Sequence, residues 1–230
     1  MEEVTIKPRA RIKSDFPDKF GIPRQSGIVG GLVSTVVFEK EFRSPEALRG
    51  IENCSHLWLI WQFSQNVRDG FSPTVRPPRL GGNERLGVFA TRSPFRPNPL
   101  GLSCVKLLRV EKTENDGAVL LVEGADLMDG TPVYDIKPYL PYTDCRPEAT
   151  NSFAPDAQGY TLTVEISDKE AAKFPSEKIS ALRSVLAQDP RPAYKDDGEK
   201  IYGMRFAGFE IKFKVSGKTL TVTSIEKENN

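Results

Sequence analysis

The sequence predicts a mainly β chain with some α, in two domains: a β-rich N-terminal domain over residues 1–146 and a small α+β C-terminal domain over 147–230. Three observations carry that reading. Strand-like runs of five to nine apolar and β-branched residues recur through the first half. Ten of the 18 prolines fall between Pro73 and Pro147, and proline fixes φ and deletes a donor, so this stretch reads as rigid loops between short strands rather than as helices. Near the C-terminus, Phe209–Val215 alternates apolar and polar residues, the pattern of a strand with one buried and one wet face.

Taken in order, the strands are expected at Gly31–Phe38, His56–Phe63, Leu86–Ala90, Leu102–Val110, Ala118–Glu123 and Pro132–Ile136. Asp116-Gly117 joins two of these as a hairpin turn, because both residues tolerate the positive φ such turns need. Ser44-Pro45-Glu46 offers an N-cap, a proline at the first helical position and an early acid, so a short helix follows and stops near Gly50. Residues 147–159 are polar, small and turn-rich, as in a linker. A strand over Tyr160–Ile166 comes next, then a helix from Ser176 with Ile179, Leu182, Val185 and Leu186 on one face, then a hairpin turning at Ser216-Gly217-Lys218 and returning over Leu220–Ile225.

Composition excludes several mechanisms. Charge is balanced, with 32 Lys and Arg against 31 Asp and Glu. No apolar run approaches the roughly 20 residues that cross a bilayer. The charged N-terminus lacks a signal-peptide core, so a cytoplasmic protein without membrane contact is expected. One histidine, His56, rules out H-E-x-x-H and His-rich metal cages, and it reads as a packing residue. Cys54, Cys104 and Cys145 are too scattered for a metal knuckle and read as buried free thiols. No two glycines are separated by one residue, and no phosphate-binding G-x-x-x-x-G-K-[ST] exists. A nucleotide-like cofactor would need another architecture.

Charge is unevenly spread. Six arginines (68, 76, 79, 85, 92, 96) but only Asp69 and Glu84 lie between Arg68 and Pro99. Arginine's planar fork suits phosphates and base edges, and the interleaved Phe71, Phe89 and Phe95 add stacking surfaces for looped RNA. The same arginines could instead pair with acids elsewhere or line a dimer interface. Asp126, Asp129 and Asp135 then reverse the sign. Turn formation accounts for one of them, and three suggest a cation or donor-rich ligand nearby, with metal binding weakly supported.

Five segments together resemble one family: Phe20–Gln25 (FGIPRQ), Ser55–Trp58 (SHLW), Arg76–Gly82 (RPPRLGG), Gly87–Ser103 (GVFATRSPFRPNPLGLS) and Asp129–Tyr139 (DGTPVYDIKPY). They are similar to the S-adenosylmethionine-dependent tRNA methyltransferases that methylate N6 of threonylcarbamoyladenosine at position 37, next to the anticodon. The similarity spans the N-terminal domain and continues through Leu186–Tyr194 (LAQDPRPAY), as in bacterial members with a C-terminal domain. The resemblance implies a single-sheeted β-barrel, a homodimer, S-adenosylmethionine as cofactor and tRNA with threonine-type anticodon loops as partner. Carried over motif by motif, it implies a cofactor pocket of Pro23, Arg24 and Gln25, of Ser64 and Gln65, of Arg92 and Leu102, and of Ala125, Asp126, Leu127 and Met128. Arg79, Arg96, Asn98, Arg191 and Tyr194 are expected to hold RNA. Ser64 stands where relatives often carry histidine, which leaves a small donor and acceptor but removes any proton-transfer role there.

Methyl transfer to a urea-like N6 is helped by alignment and by removal of its proton. Asp135 is the candidate acceptor, set against a structural pairing with an arginine. The rivals are a non-catalytic RNA-binding β-protein that uses the arginine-proline groove alone, and an enzyme acting on a small adenine-like molecule.

Overall fold

The computed structural model describes residues 3–67, 70, 72–76, 84–151, 161–191 and 200–228. Six strands close into a barrel in the order β1-β2-β7-β6-β3-β8. They are β1 (Ala10–Lys13), β2 (Val33–Phe38), β3 (His56–Gln62), β6 (Leu100–Thr113), β7 (Gly117–Glu123) and β8 (Pro132–Pro138). Closure comes from β1, which pairs antiparallel with β2 on one side and β8 on the other. Because side chains alternate along each strand, Leu57, Leu59 and Trp61 of β3 point inward beside Ile12, Val36, Val105, Leu120 and Val133. A two-stranded ribbon, β4 (Thr74–Val75) and β5 (Leu86–Gly87), stands apart.

The strand expected over Leu86–Ala90 breaks after Gly87, and Val88–Ala90 form a 3-10 turn. Thr91 closes that turn by donating both its N–H and its hydroxyl to the Val88 carbonyl, local bonds that compete with a sheet ladder. The helix expected after Ser44 is two 3-10 turns, Pro45–Leu48 and Ile51–Asn53, split by Gly50 at φ 91°. Two bulges shape the barrel. One lies between Leu107 and Arg109 and bends the long β6; the other lies where Ile60 and Trp61 face Asp135 and Val133.

The C-terminal sheet has the order β10-β11-β12-β9. Its strands are β9 (Thr163–Glu165), β10 (Tyr202–Phe206), β11 (Phe209–Ser216) and β12 (Thr219–Lys227), with α3 (Ile179–Ala187) packed on them. Ile179, Leu182, Val185 and Leu186 do share the buried or half-buried face of that helix. Short helices α1 (Pro141–Asp144) and α2 (Asp168–Ala171) were not foreseen. Of the expected linker, residues 152–159 lie outside the described set, as does Tyr160 of the expected strand. The three cysteines are free, but none is fully buried and Cys145 is exposed. Among the described residues no helix is long and apolar enough to cross a membrane.

The second core is not built from C-terminal residues alone. Phe16, Val29 and Leu32, from the connection between β1 and β2, are buried in it.

Leu59 is fully buried on a strand bonded on both sides. Leu59→Ala should therefore cost about 2–5 kcal/mol, read from the urea midpoint; a cost under about 1 kcal/mol would mean the barrel interior is loosely packed.

Candidate active site

A cavity of about 530 Å³ opens at the rim of the barrel, within the range of small-ligand sites. Four chain segments meet there: the connection after β1, the 3-10 turn Ser64–Asn66 after β3, the loop entering β6, and the turn between β7 and β8. Of the residues expected to bind cofactor, Pro23, Arg24, Gln25, Ser64, Gln65, Arg92, Leu102, Asp126, Leu127 and Met128 all stand in its wall. Ala125 does not; it is buried in the barrel core directly behind the turn.

The turn is pinned by close backbone approach. Gly124, at φ 83°, lies so near Gly27 that a Cβ would meet the Gly27 Cα at 3.1 Å, and Gly27 N–H donates to the Gly124 carbonyl at 2.9 Å. This brings the P-R-Q loop against the A-D-L-M turn. Gln25 Oε1 accepts a hydrogen bond from the Arg92 guanidinium, which links the loop to the T-R-S-P segment.

Asp126 is the acid of the wall. Ser103, 1% exposed, donates its hydroxyl to Asp126 Oδ1 at 2.6 Å and accepts the indole N–H of Trp61 at 2.9 Å. Burial pushes the Asp126 carboxyl above its ordinary range; the Ser103 bond, its own backbone N–H and the charge of Arg92 oppose that rise without cancelling it. The relay depends on Gly101, which faces the Trp61 ring so closely that a Cβ would overlap it. Trp61 in turn contacts Phe63, with ring centroids 4.3 Å apart. Trp58, also in the wall, donates to Asp144 Oδ2 at 2.8 Å, so α1 holds its ring. The bulge in β8 carries Tyr134, whose hydroxyl donates to Gln62 Oε1 at 2.8 Å and leaves the Gln62 amide N–H groups for the cavity.

The three aspartates do not converge. Asp129 Oδ1 accepts the Ser14 N–H at 3.0 Å, a turn-fixing role. Asp135, whose side chain is 52% exposed, pairs with Lys137 on the outer face of β8 and is absent from the cavity wall. The arginines also part ways. Arg96 is in the wall and donates to the Thr91 carbonyl at 3.0 Å, while Asn98 is exposed on the loop before β6. Arg191, expected to hold RNA, is buried at 6% exposure, with its guanidinium bidentate on Asp189 at 2.8 Å for both bonds. Arg79 and Tyr194 lie outside the described residues. Among the described residues none of Arg76, Arg85, Arg92 and Arg96 is in an ion pair.

Sequence reasoning missed Trp61, Ser103, Gly101 and Tyr134. One signal was available: an isolated glycine inside a strand marks a close approach.

A closed, non-Rossmann barrel with one acid and several arginines around a rim cavity defines a ligand-binding β-barrel protein of the kind the sequence motifs suggested. Residues 11–145 match the profile of the tRNA-methyltransferase O N-terminal domain, and residues 160–228 that of the TrmO C-terminal domain. The Escherichia coli K12 tRNA (adenine(37)-N6)-methyltransferase is 41% identical over 223 residues, covering 94% of each chain. A putative S-adenosylmethionine-dependent methyltransferase, RcsF, of Pseudomonas aeruginosa PAO1 is 42% identical over 216 residues, 90% of each chain. The crystal structure of TrmO from Pseudomonas aeruginosa superposes with a TM-score of 0.79 at 32% identity, covering 98% of this chain and 100% of that one. The chain belongs to the tRNA-methyltransferase O family.

Two expectations follow from this geometry. Gly101→Ala drives a methyl group into the indole, so it should cost about 1–3 kcal/mol by overpacking and, in a Trp58→Phe background, shift the emission of Trp61; unchanged emission would mean the ring is not held there. Asp126 has a folded-state pKa above its unfolded value, so its contribution to stability is full below the unfolded pKa and is lost as pH rises through the folded one. Asp126→Asn should then be more stable than wild type at neutral pH but not at about pH 3, and equal melting temperatures at both would contradict the raised pKa.

Proposed function

We propose that this chain transfers a methyl group from S-adenosylmethionine to N6 of adenine 37 in tRNA, where that adenine carries a threonylcarbamoyl group. The observation that carries the reading is the rim cavity, whose donors and acceptors suit each part of the cofactor. Its volume holds a ligand of that size. Trp61, Phe63 and Pro23 provide flat apolar surface for an adenine, and the Gln62 and Gln65 amides provide edge contacts. Asp126 is an acceptor for ribose hydroxyls or the cofactor amine, and the fork of Arg92 or Arg24 suits the carboxylate. When bound, the cofactor supplies an electrophilic methyl on a sulfonium; the rings of Trp58 and Trp61 are suited to face such a cation.

The chain's own part is positioning and charge. The P-R-Q loop and the turn of Asp126 clamp the ligand from two sides, and the Ser103 bond keeps the Asp126 carboxylate aimed into the cavity. Arg92 and Arg96, in no ion pair among the described residues, form with the exposed Asn98 a rim suited to anticodon-loop phosphates. Arg79 and Tyr194 join that surface on the family resemblance alone. The relatives named as tRNA (adenine(37)-N6)-methyltransferases support the acceptor.

The proposed acceptor of the N6 proton, Asp135, carries a condition. It stands on the outer face of β8 opposite Ile60, outside its own cavity wall. Leu102 (55% exposed) and Leu100 stand on the neighbouring outer face of β6, and both also line the cavity mouth. A homodimer covering this apolar face would close each mouth with the partner's β8, and only then does Asp135 approach a reacting atom.

Radiolabel from S-adenosylmethionine should enter threonine tRNA bearing the carbamoyl group and not the unmodified transcript; labelling of both alike, or of neither, overturns the substrate. Mixing Asp135→Asn with Asp126→Asn should restore part of the activity that each lacks alone, and no recovery would rule out a shared site. Affinity for the cofactor should fall as pH is lowered, and should begin to fall at a higher pH than an ordinary aspartate would give, because burial raises the Asp126 pKa, whereas Asp126→Asn should bind weakly with no such slope.

A further inference from the structure

The connection between β1 and β2, residues 14–32, does two things at once. Its middle, Ile22–Gln25, is cavity wall. Its flanks are anchored in the other half of the molecule: Phe16, Val29 and Leu32 are buried in the C-terminal core, and Phe20 and Ile22 pack against it. The Phe16 ring lies 5.0 Å from that of Phe206. Gly21, at φ 90°, sits so tightly on Met204 that any Cβ would overlap its sulfur. Asp15 is tied twice, its carbonyl accepting the Ala207 N–H at 2.9 Å and its carboxylate meeting Lys178 Nζ at 2.5 Å. Between these anchors Lys19 reaches across the cavity to the Gln65 carbonyl at 3.1 Å.

Gly27 and Ser26 tie the end of this stretch to the barrel, but a connection of this length with its apolar side chains unpacked would have to be ordered each time a ligand binds, at the expense of affinity. Nothing in the barrel core takes up its apolar residues; the C-terminal core takes Phe16, Phe20, Ile22, Val29 and Leu32, and Ile28 is exposed. We infer that the C-terminal sheet is a positioning element for the cofactor wall, with Met204 and Phe206 of β10 holding Gly21–Gln25 in the binding conformation before the cofactor arrives. Ile22 is the joint, one side on that core and the other in the cavity. The inference rests on the reading of the cavity as the cofactor site. A positioning role of this kind acts on the ligand's wall and not on proton removal, so it moves the cofactor KM more than kcat.

Calorimetry with S-adenosylmethionine on the full chain, with melting curves, tests it. Met204→Ala should weaken cofactor binding about tenfold, with Met204→Leu restoring most of it. Ile225→Ala, which removes volume from the same core on β12, should lower the melting temperature as much and leave cofactor affinity unchanged. Lys178→Met breaks only a partly exposed tie, so it folds in any event; it should weaken binding about two- to threefold with a small change in melting temperature. Equal affinity in wild type, Met204→Ala and Lys178→Met overturns the inference, as does equal weakening in Ile225→Ala. A wild-type chain that binds no cofactor overturns the site reading and this inference with it.

Discussion

Six strands closed into a barrel leave an interior wide enough for side chains and nothing else. Here that interior is filled by Ile12, Val36, Leu57, Leu59, Val105, Leu120, Val122 and Val133. A ligand must therefore be accommodated where the strands end, by connections whose apolar side chains the barrel core does not take up. Much of the rest follows from this constraint. The connections at the rim are rich in proline, which limits what they can sample. They are cross-tied, Gly27 to Gly124 and Gln25 to Arg92. The connection between β1 and β2 borrows a second core.

What could be read in the sequence tracks how local the cause is. β3 and β7 are legible because their alternation or continuous apolarity is a property of neighbouring residues. β1 is not, since Ala-Arg-Ile-Lys is short and half charged and becomes a strand only because β2 and β8 lie on either side of it. Val88–Ala90 look like strand and fold as a turn because Thr91, just beyond them, bonds back to Val88. The same division holds at the site. Arg92, Asp126 and the P-R-Q loop are carried by unusual local motifs. Trp61, Ser103 and Tyr134 gain their roles from register: Trp61 pairs with Gly101 across the ladder, and that pairing brings its indole N–H to Ser103 and, through Ser103, to Asp126. Arg191 is a motif arginine whose buried partner, Asp189, is two residues away, a pairing that the motif alone does not announce.

The near-neutral charge of the chain conceals a local polarity. The rim is cationic, with Arg24, Arg92, Arg96 and Lys19 in the cavity wall, and Asp126 is the only carboxylate there among the described residues. An acid among so many cations would ordinarily ionise readily. Asp126 instead titrates high, because desolvation outweighs both Arg92 and the Ser103 bond.

That balance has a consequence for which ligands the wall selects. A neutral ligand would leave Asp126 to its desolvation, and an anionic one would bind the arginines while making the carboxylate harder to ionise. A ligand that carries an anionic end for the arginines and a cationic or hydroxyl-bearing part for Asp126 satisfies both. A zwitterionic or diol-bearing molecule therefore suits this wall better than a neutral or purely anionic one. This is discrimination by the difference between two bound states rather than by the number of contacts, and it requires the P-R-Q wall to stay fixed relative to the Asp126 turn. The second core supplies that fixity from outside the barrel, which explains why the anchoring residues of the β1–β2 connection lie on both sides of Ile22–Gln25 and not on one.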